Sequence, residues 1–149
     1  MEQEENQSFE KYLGKRIADS EIGFFNNNVI KKAYYIGAYS YSVIMASKYS
    51  IVSKGNETFK KWLSNQLINY RNLDRIFEMA FRFEQKLKLN IRNESEVRTL
   101  VHEVPVGNYV GISSAKITYA FVAGFDDYRK FVKENPIEKK KQNNNNEEK

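Results

Sequence analysis

Between Asn26 and Val52 the chain carries a segment that cannot lie at a protein surface. Wound as a helix, it puts Ile30, Ala33, Tyr34, Gly37, Tyr41, Ile44, Met45 and Ile51 on one face, while Ile36 and Val43 fall elsewhere on the wheel. A helix apolar nearly all round needs neighbours on several sides, so this segment predicts a central helix. The Asn26-Asn27-Asn28 run supplies its N-cap, and the pattern carries it to about Val52. Gly37, Ala38, Ser40 and Ser42 are small enough for another helix to approach closely. No other glycine surrounds Gly37, so close packing explains it better than a phosphate-binding loop. Three polar or small residues interrupt the run from Ala33 to Ala46, and Lys31, Lys32 and Lys48 flank it, which makes it too short and too polar to span a bilayer.

Apolar residues recur at helical spacing through most of the remaining chain. A first helix is predicted from about Ser8 to Asp19, with Phe9, Tyr12, Leu13, the Arg16 stem and Ile17 on one face. After Lys54-Gly55-Asn56, a short third helix is marked by Phe59, Trp62, Leu63 and Tyr70, with Lys60 and Lys61 facing away. Asn72 offers a cap for a fourth helix to about Ile91, its stripe being Leu73, Ile76, Phe77, Ala80, Phe83, Leu87 and Ile91. A fifth runs from about Glu94 to Glu103, with Val97, Leu100, Val101 and Val104 inside. The last is signposted by Ser113 as N-cap, with Ile112 and Ile117 placed for a hydrophobic staple. It continues through Phe121, Gly124, Tyr128 and Phe131 to about Lys133, with a kink expected near Gly124. Alternation appears only near Val104 to Ile112, where Pro105, Gly107, Asn108 and Gly111 argue for a loop. The expectation is an all-α protein, a compact bundle of five or six helices in a single domain over residues 8–134. Residues 1–7 and the Lys/Asn-rich tail 135–149 are too polar to offset ordering entropy and are expected to be disordered.

Composition narrows the chemistry. With no cysteine the chain has no disulfide, thiolate nucleophile or cysteine-based zinc site. One histidine, His102, excludes His-pair metal motifs and leaves a single imidazole. His102 beside Glu103 lacks a serine elbow or a glycine-rich cradle, and Asp126 and Asp127 point about 100° apart on a helix, a poor metal clamp. The expectation is a protein that is not an enzyme and needs no cofactor or metal. The acidic, polar opening Met1-Glu-Gln-Glu-Glu-Asn6 is unlike a signal peptide, so a cytoplasmic location is expected.

Charge is the informative quantity. The net charge is +5, yet residues 1–28 carry 3 basic and 6 acidic groups, whereas residues 29–92 carry 12 basic and 4 acidic ones. With 17 Lys and 16 Asn the composition carries a bias towards AT-rich codons, so arginine is the better guide. Arg71, Arg75, Arg82 and Arg92 are four of the seven. On the fourth helix Arg75, Arg82 and Lys86 fall within about 40° of one another, opposite the apolar stripe. Joined by Arg71, Lys60 and Lys61, they form a candidate track for a phosphate backbone, which gives affinity through counterion release without reading sequence. The plain alternative is a solvated helix face, with Glu78 and Glu84 nearby. A second candidate surface is Lys31 and Lys32 with Tyr35 and Tyr39, whose rings would stack on unpaired bases unless they are core.

Several segments also carry a resemblance. Tyr34-Tyr35-Ile36-Gly37 opening a long helix, Trp62-Leu63, Asn72-Leu73-Asp74-Arg75-Ile76-Phe77 leading to Gln85-Lys86-Leu87, and Lys116-Ile117-Thr118-Tyr119-Ala120-Phe121-Val122-Ala123-Gly124-Phe125 resemble the C-terminal helical region of the large subunit of type I-B CRISPR Cascade. In such systems that region is also made separately, from an internal start, as the Cascade small subunit, and the acidic opening at Met1 would suit such a start. The resemblance covers residues 29–128. It implies an all-helical, non-enzymatic subunit present in several copies. Its partners would be the crRNA-bearing backbone subunits, the large subunit, further copies of itself and the separated DNA strands of an R-loop; no membrane is implied. Guide-RNA pairing would supply the sequence discrimination, leaving protein to stabilise strands by charge. Two rivals are a helical protein–protein adaptor without nucleic-acid binding and a small enzyme using His102.

Overall fold

The computed structural model describes residues 9–18, 27–48, 57–87, 94–104 and 112–134. They form six helices and, among the described residues, no strand: α1 (Phe9–Ala18), α2 (Asn28–Lys48), α3 (Glu57–Ser64), α4 (Tyr70–Leu87), α5 (Glu94–Glu103) and α6 (Ser114–Glu134). The all-α expectation is met. The expected disordered ends, residues 1–7 and 135–149, the 104–112 loop beyond its two ends, and Arg92 lie outside the described residues.

Helix α2 is the axle. Every residue from 33 to 40 is buried, and the helix packs against α3, α4, α5 and α6, while α1 rests on α5 and α6. Its entry is set by Asn27, whose side-chain oxygen accepts from the amides of Val29 (2.7 Å) and Ile30 (3.2 Å). Two otherwise unpaired donors of the first turn are thereby satisfied. The expected continuation to Val52 passes out of the described residues after Lys48.

Among the described residues, the closest helix packing is the crossing of α2 and α6. A methyl group at Gly37 would lie 2.0 Å from the Phe121 carbonyl oxygen, and one at Gly124 would lie 1.8 Å from the carbonyl oxygen of Tyr34. Each helix therefore presents a glycine to the other's backbone, and the expected role of Gly37 is seen. Gly124 has the same use, and α6 runs through it as one helix. Ser113 caps α6 as expected, its hydroxyl accepting from the Lys116 amide at 3.2 Å. The inner face of α6 is the predicted one, Ile117, Phe121, Gly124, Tyr128 and Phe131, widened by Ala120 and Asp127.

Two local expectations are corrected. The cap of α4 is Asn69, whose side-chain oxygen accepts from the Asn72 amide at 3.0 Å. Asn72 instead donates its side-chain amide to the Leu67 carbonyl at 2.8 Å. The chain offers two asparagines three residues apart, and the earlier one wins because α3 ends at Ser64, leaving only five residues before α4. Tyr70 accordingly opens α4 and does not belong to α3.

Candidate nucleic-acid interface

The eight basic residues expected to bind nucleic acid divide between two surfaces. Lys60, Lys61, Arg71, Arg75, Arg82 and Lys86 are all exposed. The Arg75 guanidinium lies 5.8 Å from the Trp62 ring centroid, a cation–π contact that joins the outer side of α4 to α3. Along α4, Arg71, Arg82, Arg75 and Lys86 span about 60° of the helix circumference. Glu78 lies at the edge of this face and is exposed.

Glu84, weighed in sequence as an acidic neighbour of the track, is on the other side of the helix. It is 3% exposed, accepts a short hydrogen bond from the Tyr39 hydroxyl, and lies 3.8 Å from Nε of Arg98 on α5. Arg98 in turn reaches over the Phe81 ring at 5.3 Å. The signal was available: Glu84 stands four residues after Ala80, inside the apolar stripe, about 180° from Arg75. A charge placed there has to be paired to be tolerated.

On the second candidate surface the core alternative holds for the two tyrosines. Tyr39 is fully buried, with its hydroxyl on Glu84 and its ring 5.2 Å from that of Phe77, and Tyr35 is buried as well. Neither ring is available to stack on a base. Lys31 and Lys32 keep partial exposure without them, and Lys32 pairs with Asp74 of α4 at 2.8 Å.

Tyr34 makes a matching arrangement on the other flank of α2. Its hydroxyl donates to Asp127 at 2.6 Å, and Arg16 of α1 donates to the other carboxylate oxygen at 3.0 Å. Burial, then the Asp127 hydrogen bond, push the Tyr34 phenol far above the usual tyrosine value. Asp126 turns outward to Arg129 and Lys130, and the hydrogen bond from Arg129 leads in holding its carboxyl below the usual range. The two adjacent aspartates, about 100° apart, thus serve different neighbours, Asp127 inward and Asp126 outward. His102 is exposed, its ring edge-on to Phe77 at 5.5 Å. Among the described residues no group of three His, Asp or Glu is placed to hold a metal, and no helix is long and apolar enough to cross a membrane.

Sequence reasoning overlooked one feature of this surface. Leu67, Tyr70, Tyr119 and Val122 are large apolar side chains that remain exposed, Tyr119 by 64%. They come from two segments fastened together, because the Thr118 hydroxyl donates to the Ile68 carbonyl at 2.9 Å. The signal was the helical wheel of α6, on which Tyr119 and Val122 lie opposite the inner face. Compared with known proteins, the chain matches no family model, no curated protein and no solved structure.

Proposed function

We propose that this protein is a non-catalytic strand-holding subunit that binds nucleic acid through phosphate contacts, and that it acts as the small subunit of a crRNA-guided Cascade complex. The observation that carries the binding reading is the outer side of α4, where Arg71, Arg75, Arg82 and Lys86 are exposed within about 60° of one another with Glu78 at the edge, next to an α3 that exposes Lys60 and Lys61. Such a face attracts a polyanion and reads no base. The Cascade assignment rests on the sequence resemblance over residues 29–128 and is consistent with the all-helical fold. In that setting the guide RNA reads sequence, so a modest positive face repeated over several copies suffices.

Fluorescence anisotropy with labelled single-stranded and duplex DNA at several salt concentrations tests the binding reading. The wild type is compared with an Arg75→Glu/Arg82→Glu/Lys86→Glu variant of verified helicity. Salt-sensitive, sequence-indifferent binding that the variant loses is the expected result; equal behaviour of the two proteins removes the track. The Cascade assignment has its own test: the tagged chain, purified from its native cells, should bring down repeat-spacer guide RNAs. An eluate without them ends that assignment. A second reading, a helical adaptor with protein contacts alone, draws on the exposed Leu67, Tyr119 and Val122. It requires association that salt does not weaken and no DNA binding at low salt.

A further inference from the structure

The exposed aromatic residues and the basic charge meet at the end of the bundle where the α3–α4 linker touches α6. Leu67 (73% exposed) and Tyr70 (39%) flank Ile68, and Tyr119 (64%) follows Thr118, whose hydroxyl holds Ile68 at 2.9 Å. Val122 continues the same face one turn further along α6 and is 54% exposed. Exposure of four large apolar side chains at one junction is more than the scatter of single surface hydrophobics normally seen.

Basic side chains surround them, and the acids one turn away, Asp74 after Tyr70 and Asp126 after Val122, are already paired with Lys32 and with Arg129 and Lys130. Residues 58–73 and 112–125 contain no Asp or Glu, yet they hold Lys60, Lys61, Arg71 and Lys116, all exposed. Arg71 is the chain neighbour of Tyr70, and Lys116 stands one turn before Tyr119. A protein partner of ordinary composition would bring an apolar patch but has no general reason to be strongly anionic. A single nucleic-acid strand offers both features at once, flat apolar bases that stack on aromatic rings and a phosphate backbone that cations track. A duplex offers only the phosphates, because its bases are already stacked on one another.

We infer that Tyr70 and Tyr119 form a stacking platform for unpaired bases, so that this end of the bundle meets the bases of a strand and not its phosphates alone. The inference rests on the strand-holding reading above and adds a contact with bases to its phosphate contacts. In it the cations of α3 and α4 supply the salt-sensitive part of the affinity. The tyrosines supply a part that depends on bases and not on salt.

The test compares an oligothymidylate of about 16 nucleotides with a strand of equal length built from abasic sites, which keeps the phosphates and removes the rings. The proteins are the wild type, Tyr70→Ala/Tyr119→Ala, Tyr70→Phe/Tyr119→Phe, and the Arg75/Arg82/Lys86 charge reversal, each checked for helicity. Wild type should bind oligothymidylate at least about tenfold more tightly than the abasic strand, since each stacked base is typically worth about one such factor. The alanine pair should abolish that difference with the salt dependence unchanged, and the phenylalanine pair should keep it. Oligothymidylate bound equally well by the wild type and the alanine pair, with binding lost in the charge reversal, overturns the platform and leaves strand-holding intact. If the wild type binds neither strand at low salt, strand-holding falls and the platform with it. Sedimentation velocity supplies the last arm: an alanine pair that dissolves an oligomer while strand binding is unchanged assigns the patch to protein contact and overturns the inference.

Discussion

Tyr34 and Tyr39 stand five residues apart on α2, which turns their side chains about 140° from each other around the helix. That separation sends one to Asp127 on α6 and the other to Glu84 on α4, and each carboxylate is also met by an arginine from another helix, Arg16 or Arg98. Truncating one member leaves a buried charge short of a partner, which is costly even where the intact pair adds little. The Tyr34 phenol gives this a pH signature. Free tyrosine ionises near pH 10.0, whereas in the folded protein burial and the Asp127 hydrogen bond keep Tyr34 protonated far above that. The unfolded chain therefore loses a proton that the folded chain retains. The Tyr34 contribution is intact below pH 10.0 and declines as pH rises above it, at about 1.4 kcal/mol per pH unit. Urea unfolding across this range should show a Tyr34→Phe variant less stable at neutral pH and converging on the wild type in alkali. Parallel profiles would contradict this assignment. None of this network was read from the sequence, although Glu84 and Asp127 both sit within apolar stripes. Tyr39 stayed open in sequence between stacking and core, because a helical wheel does not say which side is outer when a helix is surrounded, and it lies in the core.

At the scale of elements, the two glycines of the α2–α6 crossing separate backbone approach from helix propensity. Alanine normally stabilises a helix over glycine by about 1 kcal/mol, through lower backbone entropy in the unfolded chain. At Gly37 the added carbon would be 2.0 Å from the Phe121 carbonyl oxygen, which belongs to backbone and cannot swing aside. Gly37→Ala should therefore lower stability by about 2–3 kcal/mol, the range of an overpacked core, in spite of the propensity gain. Gly14 on α1 is the matched control, since nothing lies within 4 Å of the carbon it would acquire. Gly14→Ala should raise stability by about 0.5–1 kcal/mol. Circular dichroism of both variants in denaturant measures the two values, and a neutral Gly37→Ala would mean that the helices are not this close in solution. Elements were the most legible level of this chain. The α5 boundaries, the Ser113 cap and the inner face of α6 all follow from periodicity and capping chemistry. The N-terminus of α4 did not, because Asn69 and Asn72 are equally good caps in isolation and only the tertiary run from Ser64 decides between them.

At the scale of the molecule, stability and the candidate site are drawn from separate places. The core is built around α2, with Tyr34, Tyr39, Tyr128, Phe59 and Phe131 among its largest buried side chains, whereas the basic track lies on the outer faces of α3 and α4. The track's concentration in the middle of the chain was legible from charge subtotals and its alignment on α4 from the helical wheel; the contact of Arg75 with Trp62 across the α3–α4 junction was not, because it is tertiary. Surface changes that touch no such contact are usually worth less than about 0.5 kcal/mol. An Arg71→Gln/Arg82→Gln/Lys86→Gln variant spares Arg75 and should unfold within that margin of the wild type. Its binding should change in a way that counts contacts. On single strands each phosphate contact contributes about 0.7 to the slope of log affinity against log salt, so losing three lowers the slope by about 2. Weaker binding with an unchanged slope would mean that these side chains act through shape and not through charge. A slope lowered by this amount, at unchanged stability, would show that this face meets the backbone and that the fold does not need the charges it displays there.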